Sequence, residues 1–376
     1  MSDPKALRKR ALDAIDDRRD SLIELSLAIH ANPELGYQER DAALRLTQYL
    51  EGDGFKVTHR YKGVETAYRA DAKGKTDGPR VAILAEYDAL ADLGHGCGHN
   101  LIAMIGTAAA VAVREVIEEL PGSVAAIGTP AEEGGGGKVA LLRAGGFDDV
   151  DAAMMIHPTT GRNLAGRHSL ASNRVVVEYF GRAAHAASQP DQGVNALDAM
   201  IQLFNGVNAM RQQLRPDARV HGIIAKGGSA ANVIPEHTLG RFSVRALDRR
   251  YQQEVLKRFI ACAEGAATAT GTTVKVTVDE NAGYENMVFS TPMAERWAAH
   301  MRSLGAQVFD TRDDERVGST DMGNVMQVLP GIHPYVSISN DAIPGHSTAF
   351  RDHARTPEAL ERALVSSKAL ALTALD

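Results

Sequence analysis

The strongest constraint on the fold lies in one continuous stretch. RVAILAEYDAL at 80–90 contains a short apolar run, the glycine-punctuated GHGCGHN follows at 94–100, and LIAMIGTAAAVAV begins at 101. A short apolar run bounded by turn residues reads as a strand buried on both faces, and the longer one as a buried helix. A buried strand, a tight glycine loop and a buried helix together form one unit of a parallel sheet covered by helices. SVAAIGT (123–129), VDAAMMI (150–156) and PYVSISN (334–340) repeat the strand signal, and GGGGKVALLRAGG contains a short helix. Asn100 is the expected N-cap of the helix at 101–119.

The pattern changes near residue 172. RVVVEYFG alternates as a half-buried strand, NALDAMIQLFNGVNAMRQQL reads as a helix, HGIIAKGG and HTLGRFSVRAL as strands, YQQEVLKRFIACAEGAATATG as a helix and TTVKVTVDE as a strand. Strand, helix, two strands, helix, strand describes a small antiparallel sheet backed by two helices. At 376 residues the chain exceeds what one core usually holds. The expected organisation is therefore α/β: a catalytic domain of 1–171 plus 285–376, with a mixed, mostly parallel sheet, and an inserted α+β domain at 172–284. A net charge of -6 without a basic block makes nucleic acid or an acidic membrane unexpected partners. Two cysteines form no disulfide framework, and the charged start MSDPKALRKR reads as neither signal nor anchor, so a cytoplasmic setting is expected. No run reaches the ~18 uninterrupted apolar residues of a membrane span.

Metal-competent side chains follow the predicted strands. Cys97 and His99 lie in the glycine loop, Glu132 and Glu133 in TPAEEGGGG, His157 in MMIHP and His346 in IPGHST. On a helix, Cys97 and His99 would diverge; between glycines both can turn to one point. Thiolate, imidazole and carboxylate together suit zinc, manganese or a neighbouring transition metal. A cysteine hydrolase using Cys97 and His99 is the rival, but it leaves the two glutamates and His346 idle. A lone histidine after a strand is usually a satisfied polar group. Cys262 shares a helix face with Val255 and Phe259 and reads as core, and the GGGG segment lacks the spacing of a phosphate loop.

GHGCGHN, TPAEEGGGG, MMIHP and PGHST, in this order, resemble the di-metal aminoacylase–carboxypeptidase family of metallopeptidases, peptidase family M20. The branch is the one with indole-acetyl-amino-acid, hippurate and aminobenzoyl-glutamate hydrolases. AIHANPELGYQE, GRAAHAAS, GGSAANVIPE, FSVRALD and GSTDMGNV extend the likeness over nearly the whole chain. The resemblance implies a ferredoxin-like lid and dimerisation domain in the insertion. It implies two divalent ions, zinc or manganese with cobalt or nickel as options, on Cys97, His99, Glu133, His157 and His346. Glu132 would be the general base and Asp88 the carboxylate that orients a ligand histidine. His185 would stabilise the oxyanion, commonly across a dimer interface, while Asn232 and Arg245 meet substrate. His95 and His333 are left as structural or supporting groups. The implied reaction is hydrolysis of N-acyl or N-aroyl amino acids, or dipeptide-like amides, with a free carboxylate. The alternative is a non-catalytic metal-containing binding or regulatory protein on the same fold. Asn232 and Arg245, thirteen positions apart, are expected to reach one ligand.

Overall fold

The strand Thr76–Ala85 runs between two parallel neighbours, Pro121–Gly128 and Ala152–Met154. Ala82, Ile83 and Leu84 have no exposed surface, as a strand covered on both faces requires. The six-stranded sheet continues through Tyr68–Lys73 and Lys56–His59 on one side, both antiparallel to their neighbours, and through the parallel Gly331–Ile332 on the other. A separate parallel ladder joins His157–Thr159 to Tyr335–Ser337. The computed structural model describes residues 3–312, 315 and 317–376, and for 280–282 the backbone alone. Two compact units divide the chain: Met1–His168, Met287–Val317 and Asp321–Asp376 form the first, Ser169–Asn286 with Gly318–Thr320 the second. Sequence patterning places the boundaries after 171 and 284 and does not foresee that 318–320 join the insertion, where Gly318 O accepts from Leu170 N at 2.7 Å.

The helix His99–Ile117 is apolar on nearly all sides. By length and composition it could cross a membrane, but 89% of its most apolar window is buried in the protein, the pattern of a core helix. It packs on the sheet at Gly106, where a Cβ would lie 2.8 Å from the Leu84 carbonyl oxygen. The helix begins at His99 rather than 101, and Asn100 does not cap it. Gly98, at φ 77°, makes the turn into the helix, a left-handed conformation that a side chain resists. The Asn100 amide lies inside the helix, donating to Ser26 Oγ (3.0 Å) and Ala354 O (3.1 Å). Tertiary partners thus take the amide that sequence pattern alone assigns to a cap.

The second unit holds a four-stranded antiparallel sheet in the order Thr273–Tyr284, Ala171–Phe180, His237–Ala246, Arg219–Lys226. The helices Ala196–Arg211 and Arg249–Thr270 supply Leu203, Val207, Val255 and Phe259 to a core shared with Val175, Val177, Phe242 and Val244. Asn195 caps the first helix by accepting from Leu197 N at 2.9 Å, and Asp248 caps the second through Tyr251 N at 2.9 Å. Each cap is worth about 1 kcal/mol.

Candidate functional site

Neighbouring parallel strands release their chains at the same edge of a sheet, so residues just past their carboxyl ends meet. Thr76–Ala85 is followed by Glu86 and Asp88, Pro121–Gly128 by Glu132 and Glu133, and Ala152–Met154 by His157. Cys97 and His99 return to that edge through the glycine loop. His346 N donates to Gly96 O at 2.9 Å, which fixes the last histidine against this loop.

The result is a cluster centred on one sulfur. Cys97 Sγ lies 3.6 Å from His157 Nε2 and 3.5 Å from His346 Nε2. His346 Nε2 lies 3.4 Å from Glu133 Oε1. Three sets each bring their donor atoms within 4.8 Å of one another: Cys97, His99 and His157; Cys97, Glu133 and His346; and His99, Glu132 and Glu133. Cys97 belongs to the first two sets and stands between them.

Asp88 organises two of these groups. Its Oδ1 accepts from His99 Nδ1 at 2.9 Å, and its Oδ2 accepts from Glu133 N at 2.9 Å. With Nδ1 so engaged, His99 Nε2 is directed into the cluster, 3.5 Å from Glu86 Oε2 and 4.0 Å from Glu133 Oε1. Two non-glycine residues of the site adopt positive φ, Ala131 at 56° and His346 at 55°. Such a conformation costs about 1–2 kcal/mol each and is a common feature of functional sites. Glu39 holds the Ala131 turn by accepting from Ala131 N at 2.8 Å, and burial pushes its own carboxyl up to about 7.

The electrostatics follow from anions and imidazoles packed together. Burial opposes ionisation of Cys97, but His157, His346 and His99 outweigh it and bring the thiol down to about 6. Hydrogen bonds to Cys97 and then Glu133 raise His346 to about 10. Burial works against protonating His99, yet Asp88 and Cys97 carry it well above the usual range. Burial, Glu86, Asp321 and Glu133, in that order, push Glu132 well above the usual carboxylate range.

These residues fit a metal. His99 Nε2 and Glu86 Oε2 are buried and lack a hydrogen-bond partner among the described residues. The three imidazoles face a thiol poised to ionise and a carboxylate, the positive demand that divalent cations meet with this donor set.

Beneath the cluster lies a second layer that sequence reasoning missed. Lys138 has no exposure; its Nζ donates to Glu86 Oε1 at 2.5 Å and Asp321 Oδ1 at 2.6 Å, and its N donates to Asp321 Oδ2 at 2.9 Å. Glu86, Asp321 and Glu132 bring carboxylate oxygens within 4.8 Å of one another, so the one ammonium faces three acids. The available signals are the two acids of AEYDAL, the aspartate of GSTDMGNV and the lysine that closes GGGGK. His95 is buried, with Nε2 3.1 Å from Ile29 O, and burial lowers it to about 3. His333 is buried beside His157, with ring centres 5.6 Å apart.

The remaining predicted residues lie in the second unit. His185 is exposed, and its Nδ1 accepts from Ala187 N and Ser188 N, both at 3.2 Å. A neutral ring so held carries its proton on Nε2 and presents it outward. Asn232 is adjacent, its carbonyl accepting from Ala186 N at 3.0 Å. Arg245 is half-buried, with Nε donating to Ser243 Oγ at 3.0 Å. Burial, reinforced by Arg174, lowers its pKa. Asp248 is occupied as a helix cap and forms no ion pair with Arg245 among the described residues. Asn232 and Arg245 do not converge in one chain. His185 and Asn232 lie beyond the Phe180–His237 end of the paired strands, whereas Arg245 sits at the Ala171–Ala246 end. The strand between spans roughly 25 Å.

The comparisons with known proteins agree with this geometry. The model of Peptidase family M20/M25/M40 matches residues 85–366. A mouse Xaa-Arg dipeptidase is 40% identical over 98% of this chain and 88% of its own length. A p-aminobenzoyl-glutamate hydrolase subunit of Escherichia coli K12 is 31% identical over 97% of this chain and 90% of its own. The fold resembles that of a Bacillus subtilis dinuclear metal binding peptidase, with a TM-score of 0.69, 21% identity and 99% of each chain covered.

Proposed function

The chain belongs to peptidase family M20/M25/M40, and on that premise we propose that it hydrolyses the amide bond of N-acyl or N-aroyl amino acids, or of dipeptide-like substrates, that carry a free carboxylate. The observation that carries this reading is the cluster around Cys97 with Glu132 beside it. Cys97, His99, Glu133, His157 and His346 would hold two divalent ions. Mixed sulfur, nitrogen and oxygen donors favour zinc or manganese, with cobalt or nickel as substitutes. When bound, such ions supply Lewis acidity and ease the deprotonation of water at the site.

The chain's own groups do the rest. Glu132 takes a proton from water as the water oxygen attacks the amide carbon, then returns it to the amine nitrogen as the C–N bond breaks. Burial and the neighbouring acids raise its proton affinity, which favours proton uptake from water. A non-catalytic binding protein would have no task for it. His185 Nε2–H donates to the carbonyl oxygen as charge develops there, and Arg245 grips the substrate carboxylate. Because His185 and Asn232 lie at one end of the second unit's sheet and Arg245 at the other, one chain does not bring all three to a single substrate. We therefore propose a homodimer in which one chain lends His185 and Asn232 to its partner's site. A cytoplasmic setting accords with two cysteines that are both free thiols.

The test is a panel of N-acetyl and N-benzoyl amino acids and dipeptides, each with its primary amide counterpart, assayed with added manganese or zinc. Turnover of the free acids above their amides is expected. A metal-loaded chain inert toward every member would overturn the reading.

A further inference from the structure

The reaction as described leaves one guanidinium of the first unit unused. Leu164 and Tyr335 exchange backbone hydrogen bonds in both directions at 2.9 Å, which carries the following residues past the end of the ladder strand Tyr335–Ser337. Arg167 then lies over the Tyr335 ring, with its guanidinium carbon 5.2 Å from the ring centre. Tyr335 is in register with His157 on the parallel neighbour. Partners in register project to the same face, and the two rings lie 5.5 Å apart. Arg167, Tyr335 and His157 thus form one stack from the guanidinium to the Cys97 cluster.

Arg167 combines this platform with the lack of a counter-charge among the described residues. It is half-buried, its Nε is buried without a hydrogen-bond partner, and among the described residues it forms no ion pair. Several other buried or half-buried arginines of this unit are paired with a carboxylate. Arg69 meets Asp149 at 2.7 Å, Arg18 meets Asp53 at 2.8 Å, and Arg162 meets Glu315. A guanidinium taken partly from water with its donors unmet is unfavourable unless a ligand meets them. The aromatic face beneath it is a platform that leaves the planar edge available for a bidentate anion.

We propose that Arg167 is a carboxylate receptor of the catalytic unit, binding a carboxylate of the substrate beside the Cys97 cluster with the Tyr335 ring as its support. This rests on the reading that amide hydrolysis takes place at that cluster. It adds that the unit selects anionic substrates by itself, independently of Arg245, and disfavours a cationic side chain at the same position. Arg167 is a binding residue here; no proton or bond changes at it.

The test separates binding from turnover. The probe is 3-benzoylpropionic acid, in which a methylene replaces the amide nitrogen of an N-benzoyl amino acid, together with its primary amide. Both are titrated calorimetrically into metal-loaded wild type, Arg167→Ala, Arg167→Lys and Arg245→Ala, with metal content and thermal unfolding checked for each. Wild type is expected to bind the acid about tenfold or more tighter than the amide. Arg167→Ala should lose most of that preference and Arg167→Lys, a point charge without the fork, should keep part of it. If Arg167→Ala is poorly folded, the comparison of Arg167→Lys with wild type decides. An acid preference that survives at full size in the Arg167 variants, is absent from wild type, or is removed by Arg245→Ala alone would overturn the proposal. If the acid preference depends on Arg167 but no member of the hydrolysis panel is turned over, the receptor stands and the proposed reaction fails.

Discussion

A Glu132→Gln chain is expected to keep its metal and lose turnover by about 10²-fold or more, because the substitution preserves size and removes only the proton acceptor. Glu133→Gln should instead lose metal. The two residues are adjacent but differently held. Asp88 fixes Glu133 by its backbone N–H at 2.9 Å, and Glu133 Oε1 approaches His346 at 3.4 Å, whereas Glu132 joins the buried acids Glu86 and Asp321. Metal analysis of each variant beside kcat/KM reads the division directly. Equal metal loss in both, with equal turnover per bound ion, would mean the roles are not divided. The same chain tests assembly. Mixed with His185→Ala under conditions of demonstrated subunit exchange, Glu132→Gln should regenerate activity, since one site of each mixed dimer then has both groups. No recovery would show that His185 serves its own chain.

The second large effect is expected at Lys138. Its ammonium is fully buried between Glu86 and Asp321. Removing one partner of such a network leaves uncompensated buried charge, at a cost of about 3–5 kcal/mol. Lys138→Met should therefore lower the unfolding free energy of the catalytic unit by that amount, measured as a shift in denaturant midpoint at constant slope. Adding Asp321→Asn and Glu86→Gln to Lys138→Met should restore much of the loss, because neutral amides need no counter-ion. A Lys138→Met chain as stable as wild type would show that the acids neutralise themselves without the lysine.

These two sites mark what can and cannot be read from the chain. The βα alternation, the inserted antiparallel unit and the strand-end positions of Cys97, His99, Glu133, His157 and His346 are local patterns: short apolar runs, then metal-competent side chains. The layer beneath them is not local. Lys138 meets Glu86 across 52 residues and Asp321 across 183, and nothing in GGGGK or GSTDMGNV distinguishes a buried ion pair from a loop lysine and a turn aspartate. Asn100 reads as a cap because it precedes an apolar run; its amide is claimed by Ser26 and Ala354, distant in sequence. Asn232 and Arg245 read as neighbours because they are thirteen positions apart, yet an extended strand turns those positions into opposite ends of a sheet. Arg167 gives no signal, since an unpaired arginine is recognisable only once its neighbours are known.

We propose that the Cys97 cluster holds two metal ions and serves amide hydrolysis. The most direct measurement is a titration of the chelator-stripped chain with manganese or zinc, following bound metal and turnover of an N-acyl amino acid together. The stripped chain is expected to be inactive, to saturate at two ions, and to gain activity as the ions are taken up. Full turnover in the stripped chain, or activity restored with no ion retained, would contradict the proposal.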